Sequence, residues 1–123
     1  MSNNLLKKKL APYRAEGSGS GCAPCEGRNI TPFSREEVVN YIGDVPGWTF
    51  DKDAKKISKE FKFKDFIGAI NFVNQVAEIA EMEGHHPDIH IHYNKVLLEL
   101  WTHAIGGLSE NDFIVAAKID AHK

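Results

Sequence analysis

The sequence predicts an α+β domain, a two-layer sandwich in which a four-stranded antiparallel sheet carries three helices on one face. Three observations lead to this fold class. Three stretches combine helical spacing of apolar residues with capping residues. Two other stretches each contain two alternating runs joined by a polar turn, which indicates two hairpins. Their order along the chain is helix, hairpin, helix, hairpin, helix, which favours an antiparallel sheet covered on one side.

Size and charge narrow the class of protein. The chain has 123 residues, of which 42% are apolar, enough for one domain with a modest core. Its net charge of −2 lacks the basic footprint of a nucleic-acid-binding protein. No apolar run approaches the roughly 20 residues of a membrane span, and no secretory signal begins the chain. We therefore expect a cytoplasmic protein with neither nucleic-acid nor membrane partners.

Residues 1–30 differ in composition from the domain expected over residues 31–123. They are basic and contain a glycine/serine run, which is typical of a flexible extension. A weak organellar targeting signal is the alternative for this segment. Cys22 and Cys25 have the spacing of a redox pair or of half a zinc site, but the sequence has no second cysteine pair to complete a structural zinc site.

The first helix and the first hairpin follow this extension. Ser34 is the predicted N-cap of the helix, with Glu37 at the capping-box position. Gly43 is expected to end the helix after its apolar face. A short strand over residues 47–51 and a second over 56–63 are then expected to pair, because apolar residues alternate with lysines in the longer run.

The second helix is expected from Phe66 to Met82, with Asp65 as its N-cap and Gly84 as the residue that ends it. Its apolar residues form two stripes: Phe66, Ile70, Val73, Ala77 and Ala80 on one, and Ile67, Phe72, Val76 and Ile79 on the other. One stripe is enough to cover a sheet, so the other predicts a second buried surface, which we expect to be a subunit contact. Burial of the whole helix within the monomer is the alternative.

The second hairpin is expected to bring distant histidines together. A strand over residues 88–93, a turn at 94–95 and a returning strand over 96–103 would place His103 opposite His86. Ser109 is expected to cap the last helix. Asp112 would then occupy its third position and point back towards the end of the strand that carries His103.

Three histidines and two carboxylates form the candidate site: His85, His86, His103, Glu81 and Asp112. An imidazole with the reference pKa of about 6.5 can give or take a proton near neutral pH. Two of them, oriented by a carboxylate, would suit a reaction that moves one proton on and another off a small molecule. The alternative is a set of loop and strand-end histidines without a shared role.

The spacing of these residues resembles the signature of the pterin-4a-carbinolamine dehydratases. Three residues separate Glu81 from His85-His86-Pro87, and five separate Pro87 from Tyr93. Nine residues then separate Tyr93 from His103, and eight separate His103 from Asp112. Gly47-Trp48 and the run from Phe61 to Phe66 extend the similarity to about residues 33–121. Gly84 is a departure outside the signature, since the family often has an acidic residue there.

The resemblance implies a hydro-lyase that removes water from a 4a-hydroxytetrahydropterin to give the quinonoid dihydropterin, in the recycling of tetrahydrobiopterin for aromatic amino-acid hydroxylases. It implies no metal and no organic cofactor. It also implies assembly into homodimers or homotetramers, for which the second helix is the expected contact.

The resemblance also implies a role for each site residue. His85 and His103 match the family's acid/base pair, and His86 matches a histidine that binds the substrate within the catalytic site. Glu81 matches the carboxylate at the pterin site, and Trp48 lines or borders that pocket. Asp112 is expected to orient a histidine beside the bound substrate.

Two other classes of function stay open from the sequence. Five histidines could ligate zinc: His85, His86, His90, His92 and His103. Adjacent histidines rarely bind one ion together, which disfavours this metal-protein alternative. The other class is a protein-interaction module, because animal relatives bind a transcription factor through the surface built by the second helix.

Overall fold

The structure is a computed structural model and describes residues 31–122. The predictions for the N-terminal extension, including Cys22 and Cys25, lie outside the described residues. Helix α1 (Arg35–Ile42) begins where its capping signal predicts. Ser34 N donates to Glu37 Oε1 at 2.8 Å and Glu37 N donates to Ser34 Oγ at 3.2 Å, which completes the capping box.

Four strands and two further helices complete the described part of the fold. The strands are β1 (Thr49–Phe50), β2 (Ile57–Lys62), β3 (Asp88–His92) and β4 (Lys95–Leu100), and the helices are α2 (Phe66–Glu83) and α3 (Glu110–His122). All neighbouring strands are antiparallel, in the order β1-β2-β4-β3. The predicted fold class, an α+β sandwich with four antiparallel strands and three helices, is therefore confirmed.

The two faces of the sheet differ in burial. Its inner face carries the apolar side chains of the core: Ile57, Phe61, Val96, Leu98 and Leu100. These residues pack with the buried residues of the helices, because strand side chains alternate between the two faces. His90 and His92 lie on the opposite face and are exposed.

No helix among the described residues has both the length and the hydropathy required to cross a bilayer.

Helix α2 packs one apolar face into the core and also carries apolar residues on its exposed surface. Asp65 accepts a hydrogen bond from Gly68 N at 2.8 Å, and Gly84 ends the helix with a φ of 67°. Phe72, Val76 and Ile79 of the second predicted stripe are buried together with Ala69 and Ala80. Phe66 is 46% exposed and Ile67 is 64% exposed, so the helix is not enclosed within the monomer.

The register of the second hairpin corrects the prediction. His92 pairs with Lys95 and Asp88 pairs with Glu99, a shift of two residues from a turn at residues 94–95. Tyr93 and Asn94 form the turn, with Tyr93 at a φ of 54°. Asn94 is also fixed to the end of β2, because its Nδ2 donates to Phe63 O at 3.0 Å.

The predicted strand over residues 96–103 also ends early, so His103 does not pair with His86. β4 stops at Leu100, and Thr102 and Gly107 then exchange two backbone hydrogen bonds of 2.8 and 3.4 Å. His103 begins a short 3-10 helix (His103–Ile105) inside this closed loop. Gly106 allows the return because its φ of 67° is unfavourable for residues with a side chain.

Candidate active site

A buried carboxylate at the start of α3 connects the segments that carry two of the candidate histidines. Asp112 is at the third position of the helix, as predicted, and is 0% exposed. Its Oδ2 accepts hydrogen bonds from Thr102 Oγ1 at 2.8 Å and from Ser109 N at 3.0 Å. Ser109 Oγ lies 2.9 Å from Thr102 Oγ1 and can donate to it, since the Thr102 hydrogen is directed to Asp112. Every polar group in this buried cluster has a partner.

His85 completes the Asp112 cluster from the end of α2. Gly84 turns the chain out of the helix, and His85 N donates to Ala80 O at 3.2 Å. The His85 Nε2 atom lies 2.6 Å from Asp112 Oδ1. An ionised carboxylate only accepts hydrogen bonds, so the proton belongs on Nε2 and Nδ1 is left for proton exchange. Because the carboxylate is buried, it fixes the ring and stabilises an imidazolium if one forms.

His86 and Glu81 form a second pair, at the surface. His86 Nε2 lies 2.7 Å from Glu81 Oε2, although the two side chains are 58% and 78% exposed. The spacing of five residues works because Glu81 is on the last turn of α2 and His86 follows Gly84. An exposed ion pair contributes only about 0–1 kcal/mol, so both groups can exchange this contact for one with a ligand at little cost.

His103 is held next to the Asp112 cluster by its chain neighbour. Thr102 donates to Asp112 Oδ2, so the residue before His103 is bound to the same carboxylate as His85. The His103 ring is exposed and stacks on Trp101, with the ring centroids 4.0 Å apart and the planes inclined by 29°. The loop after α2, the loop after β4 and the start of α3 therefore meet at Asp112, and not through strand pairing.

Trp48 lies in the core, apart from these contacts. Its side chain is 3% exposed, and its Nε1 donates to both carboxylate oxygens of Asp120 at 3.2 Å. Asp120 is eight residues after Asp112 on α3, or about 12 Å along the helix axis. The prediction that Trp48 borders the substrate pocket stays a prediction.

Comparisons with known proteins show which family this chain belongs to. Residues 31–122 match the family model described as Pterin 4 alpha carbinolamine dehydratase. The chain belongs to this family. The match covers all three helices and all four strands, including Asp112 and the histidines of the candidate site.

Relatives and a solved structure are similar over most of this family domain. A protein from Halorhodospira halophila assigned to the pterin-4-alpha-carbinolamine dehydratases is 48% identical over 100 residues, which are 81% of this chain and 91% of that one. Pterin-4-alpha-carbinolamine dehydratase 2, mitochondrial, from Arabidopsis thaliana is 42% identical over 86% of this chain and 58% of its own. A Brucella melitensis structure described as a transcriptional coactivator/pterin dehydratase gives a TM-score of 0.70 at 34% identity, over 74% of this chain and 97% of that one.

Membership in this dehydratase family makes the protein an enzyme of the hydro-lyase class. The alternative of a histidine-rich metal centre finds no geometric support within residues 31–122. No group of three or more potential ligands is placed there to hold an ion. The exposed His90 instead lies 3.1 Å from Glu99 on the open face of the sheet.

Two side chains of the candidate site were not predicted from the sequence. Thr102 was expected only as part of a strand, yet its hydroxyl links the segment before His103 to Asp112. Trp101 also lay within that predicted strand, yet its ring stacks on the His103 ring. The signal in the sequence is only that both residues lie within two positions of His103.

Proposed function

We propose that this protein catalyses the loss of water from a 4a-hydroxytetrahydropterin, giving a quinonoid dihydropterin. The observation that carries the proposal is the buried Asp112 carboxylate. One of its oxygens lies 2.6 Å from His85, and the other binds Thr102, the neighbour of His103. The segments that carry the two imidazoles are thereby joined through one buried charge. Family membership names the reaction for which such a pair is suited.

The reaction requires one proton to be added and another removed. Hydroxide is a poor leaving group, so an imidazolium protonates the 4a-oxygen as the bond between carbon and oxygen breaks. A neutral imidazole accepts the proton from N5, which leaves water and the neutral quinonoid product. We assign these two transfers to His85 and His103. Each transfer of this kind contributes about 10²–10⁴-fold to the rate.

Glu81 and His86 are proposed to bind the pterin ring. The amino-pyrimidine edge of a pterin presents adjacent N–H donors, which a carboxylate can accept in a paired arrangement. Glu81 is exposed and its Oε2 lies 2.7 Å from His86 Nε2, so either side chain can exchange this contact for one with the substrate. His86 would then lie beside the bound ring.

We also propose that this reaction belongs to the recycling of the tetrahydrobiopterin used by aromatic amino-acid hydroxylases. The support is the family alone, because the hydroxylases release the 4a-hydroxypterin that a dehydratase of this kind consumes. The chemistry assigned to the histidines needs neither a metal nor an organic cofactor.

The test is the rate at which synthetic 4a-hydroxytetrahydropterin loses water, followed by its ultraviolet absorbance. The wild type should accelerate the reaction over buffer, and His85→Ala and His103→Ala should each lower the catalysed rate by about 10²-fold or more. His90→Ala is the matched control, because His90 lies on the open face of the sheet and should leave the rate unchanged. A folded wild type that is no faster than buffer would refute the proposal.

A second candidate function is association through α2. Phe66 and Ile67 are exposed apolar residues on a helix whose other face packs in the core. Large exposed apolar side chains that cluster on one helix are typical of contact surfaces. We infer that a second copy of the chain covers this surface and gives a homodimer or homotetramer. The Brucella relative described as a coactivator makes a different protein partner the alternative occupant.

A further inference from the structure

The His103 ring is exposed and is held by a ring stack. The 3-10 helix that it begins is three residues long, and within residues 31–122 no hydrogen bond holds the imidazole. His85 differs, because a buried carboxylate fixes its Nε2. An exposed side chain without an anchor samples several rotamers, which would dilute the orientation required for proton transfer. Something other than a hydrogen bond must therefore orient His103.

Trp101 supplies that constraint. Its indole is half-buried, and its ring centroid lies 4.0 Å from that of His103 at an angle of 29°. Lys56 Nζ lies 5.5 Å from the centroid of the Trp101 ring, within the range of a cation–π contact. The indole is thus held by the sheet and by Lys56, and it offers a fixed flat surface to the imidazole.

A stack suits a group that must exchange a proton. A hydrogen bond would occupy one of the two ring nitrogens, as Asp112 does for His85. Stacking uses the face of the imidazole and leaves both nitrogens at its edge. The ring plane is fixed while the reactive atoms stay available.

We propose that Trp101 is a positioning residue for His103, and that the flat face of its indole sets the orientation of that imidazole towards the substrate. The inference rests on the proposed function, in which His103 exchanges a proton with the pterin. Trp101 is not one of the signature positions of the family, so this role is additional to theirs.

The buried N–H group of Trp101 supports this role for the ring face. Trp101 Nε1 is shielded from solvent, and no acceptor among the described residues lies within hydrogen-bond distance of it. A buried donor without an acceptor lowers stability, so hydrogen bonding does not explain an indole at this position. The contact with His103 does explain it.

The test compares two replacements of Trp101 that differ in shape. Trp101→Phe keeps a flat aromatic face and removes the N–H group, whereas Trp101→Leu keeps apolar bulk without a flat face. We expect Trp101→Phe to retain kcat within about twofold and Trp101→Leu to lower kcat about 3- to 10-fold, as expected for an aromatic pair. KM should change by less than about twofold, because the stack orients a group without binding the substrate. Equal kcat values for wild type and Trp101→Leu would overturn the inference.

A second comparison separates positioning from a general structural effect. If Trp101 acts through His103, then Trp101→Leu should have no further effect on kcat in a His103→Ala background. A slow His103→Ala enzyme that Trp101→Leu slows by the same factor as the wild type would overturn this inference and leave the proposed function intact. A His103→Ala enzyme as fast as wild type would refute both the proposed role of His103 and this inference.

The stack can also be tested by a measurement that does not depend on activity. The indole ring current should shift the His103 ring protons upfield in the proton NMR spectrum, and the signals are assigned by their loss in His103→Gln. The shift should persist in part in Trp101→Phe. Ring protons at the positions of an exposed histidine would overturn the inference.

Discussion

At the scale of single residues, Asp112 is the centre of the site. It is fully buried, accepts hydrogen bonds from Thr102 and Ser109 at one oxygen, and holds His85 at the other. A charged hydrogen-bond partner is worth about 1.5–3 kcal/mol, more than a neutral one. The same carboxylate thus joins the start of α3 to the loop after β4 and to the loop after α2.

Asp112→Asn should impair both catalysis and stability. An amide has one acceptor and one donor side, so its NH₂ group must face either the Ser109 N–H and the Thr102 hydroxyl or the Nε2 of His85. We expect kcat to fall about 10- to 100-fold and the free energy of unfolding to fall by about 1.5–3 kcal/mol. Asp53→Asn makes the same exchange at an exposed carboxylate in a turn and serves as the control. An Asp112→Asn enzyme with unchanged kcat would exclude the orienting role of this carboxylate.

Tyr41 shows how the start of α3 is joined to α1. Its hydroxyl lies 3.3 Å from Glu110 Oε2, and its ring packs on Phe33 and Phe113. Burial raises the pKa of Tyr41 to about 12, with the negative charge of Glu110 as the next contribution. The folded protein therefore favours the neutral phenol.

This shift predicts a loss of stability at alkaline pH. The unfolded tyrosine ionises near its reference pKa of about 10 and the folded one near about 12. The contribution of Tyr41 should be fully present below pH about 10 and should be lost as the pH rises to about 12. Urea unfolding of wild type and Tyr41→Phe across this range measures it. If the free energies of unfolding of the two proteins change equally with pH, the raised pKa of Tyr41 is contradicted.

At the scale of secondary-structure elements, capping residues were the most informative part of the sequence. Ser34, Asp65 and Gly84 fix helix ends through contacts with residues three or four positions away, and local signals of this kind are complete in the sequence. The hairpin register was off by two residues, and its turn makes a contact distant in sequence: Asn94 Nδ2 donates to Phe63 O, just after β2. An even shift keeps each side chain on its face, which is why the core could still be predicted.

The contact between α2 and α3 includes a charged pair that the sequence did not reveal. Lys118 Nζ donates to Glu83 Oε2 at 2.6 Å, and the Glu83 side chain is buried at the last position of α2. Residue 83 is two positions before His85, and Lys118 is on the helix that carries Asp112. The pair therefore supports the alignment of the two elements that form the His85–Asp112 contact.

Lys118→Met should destabilise the fold because it leaves the buried Glu83 carboxylate without this ammonium group. We expect the free energy of unfolding to fall by about 2 kcal/mol, less than for a fully buried pair because Lys118 is partly exposed. Glu83→Leu combined with Lys118→Met should recover most of this loss. Lys55→Met, at an exposed lysine, is the control in the same denaturation measurements. A single variant as stable as wild type would show that the pair contributes nothing.

At the scale of the whole molecule, helix α2 carries large apolar side chains on the surface of the described domain. Phe66, Ile67 and Met82 of α2 are exposed apolar residues. The two apolar stripes of this helix were visible in the sequence, because helical spacing is a local property. The residues that face the core were not visible in the sequence, since burial depends on how the helix packs against the sheet. Phe66 and Ile67 belong to different stripes, yet both are exposed.

A charge among the exposed apolar residues of α2 should change the mass of the assembly. We expect the wild type to sediment as a dimer or tetramer of its 13.7 kDa chain and Ile67→Glu to sediment as a smaller species. Gln75→Glu adds the same charge at an exposed polar position of α2 and should leave the mass unchanged. A monomeric wild type at micromolar concentration would exclude self-association and would favour another protein as the partner.

The candidate site was predictable in its residues and less so in its geometry. The order and spacing of Glu81, His85, His86, His103 and Asp112 identified the family from sequence alone. The contacts that position them were not predictable, because the Thr102 hydroxyl and the Trp101 ring act through side-chain packing between segments distant in sequence. Sequence spacing contains no direct information about such contacts.

The most direct test of the account is a crystal structure with an unreactive reduced pterin bound. We predict that the pterin lies between His85 and His103, with each ring within about 2.6–3.2 Å of the 4a or N5 region, and that Glu81 contacts the amino-pyrimidine edge. Asp112 should still hold His85 in that complex. A pterin bound elsewhere, or bound with either histidine beyond reach of those atoms even through one water, would contradict the assignment of the two proton transfers.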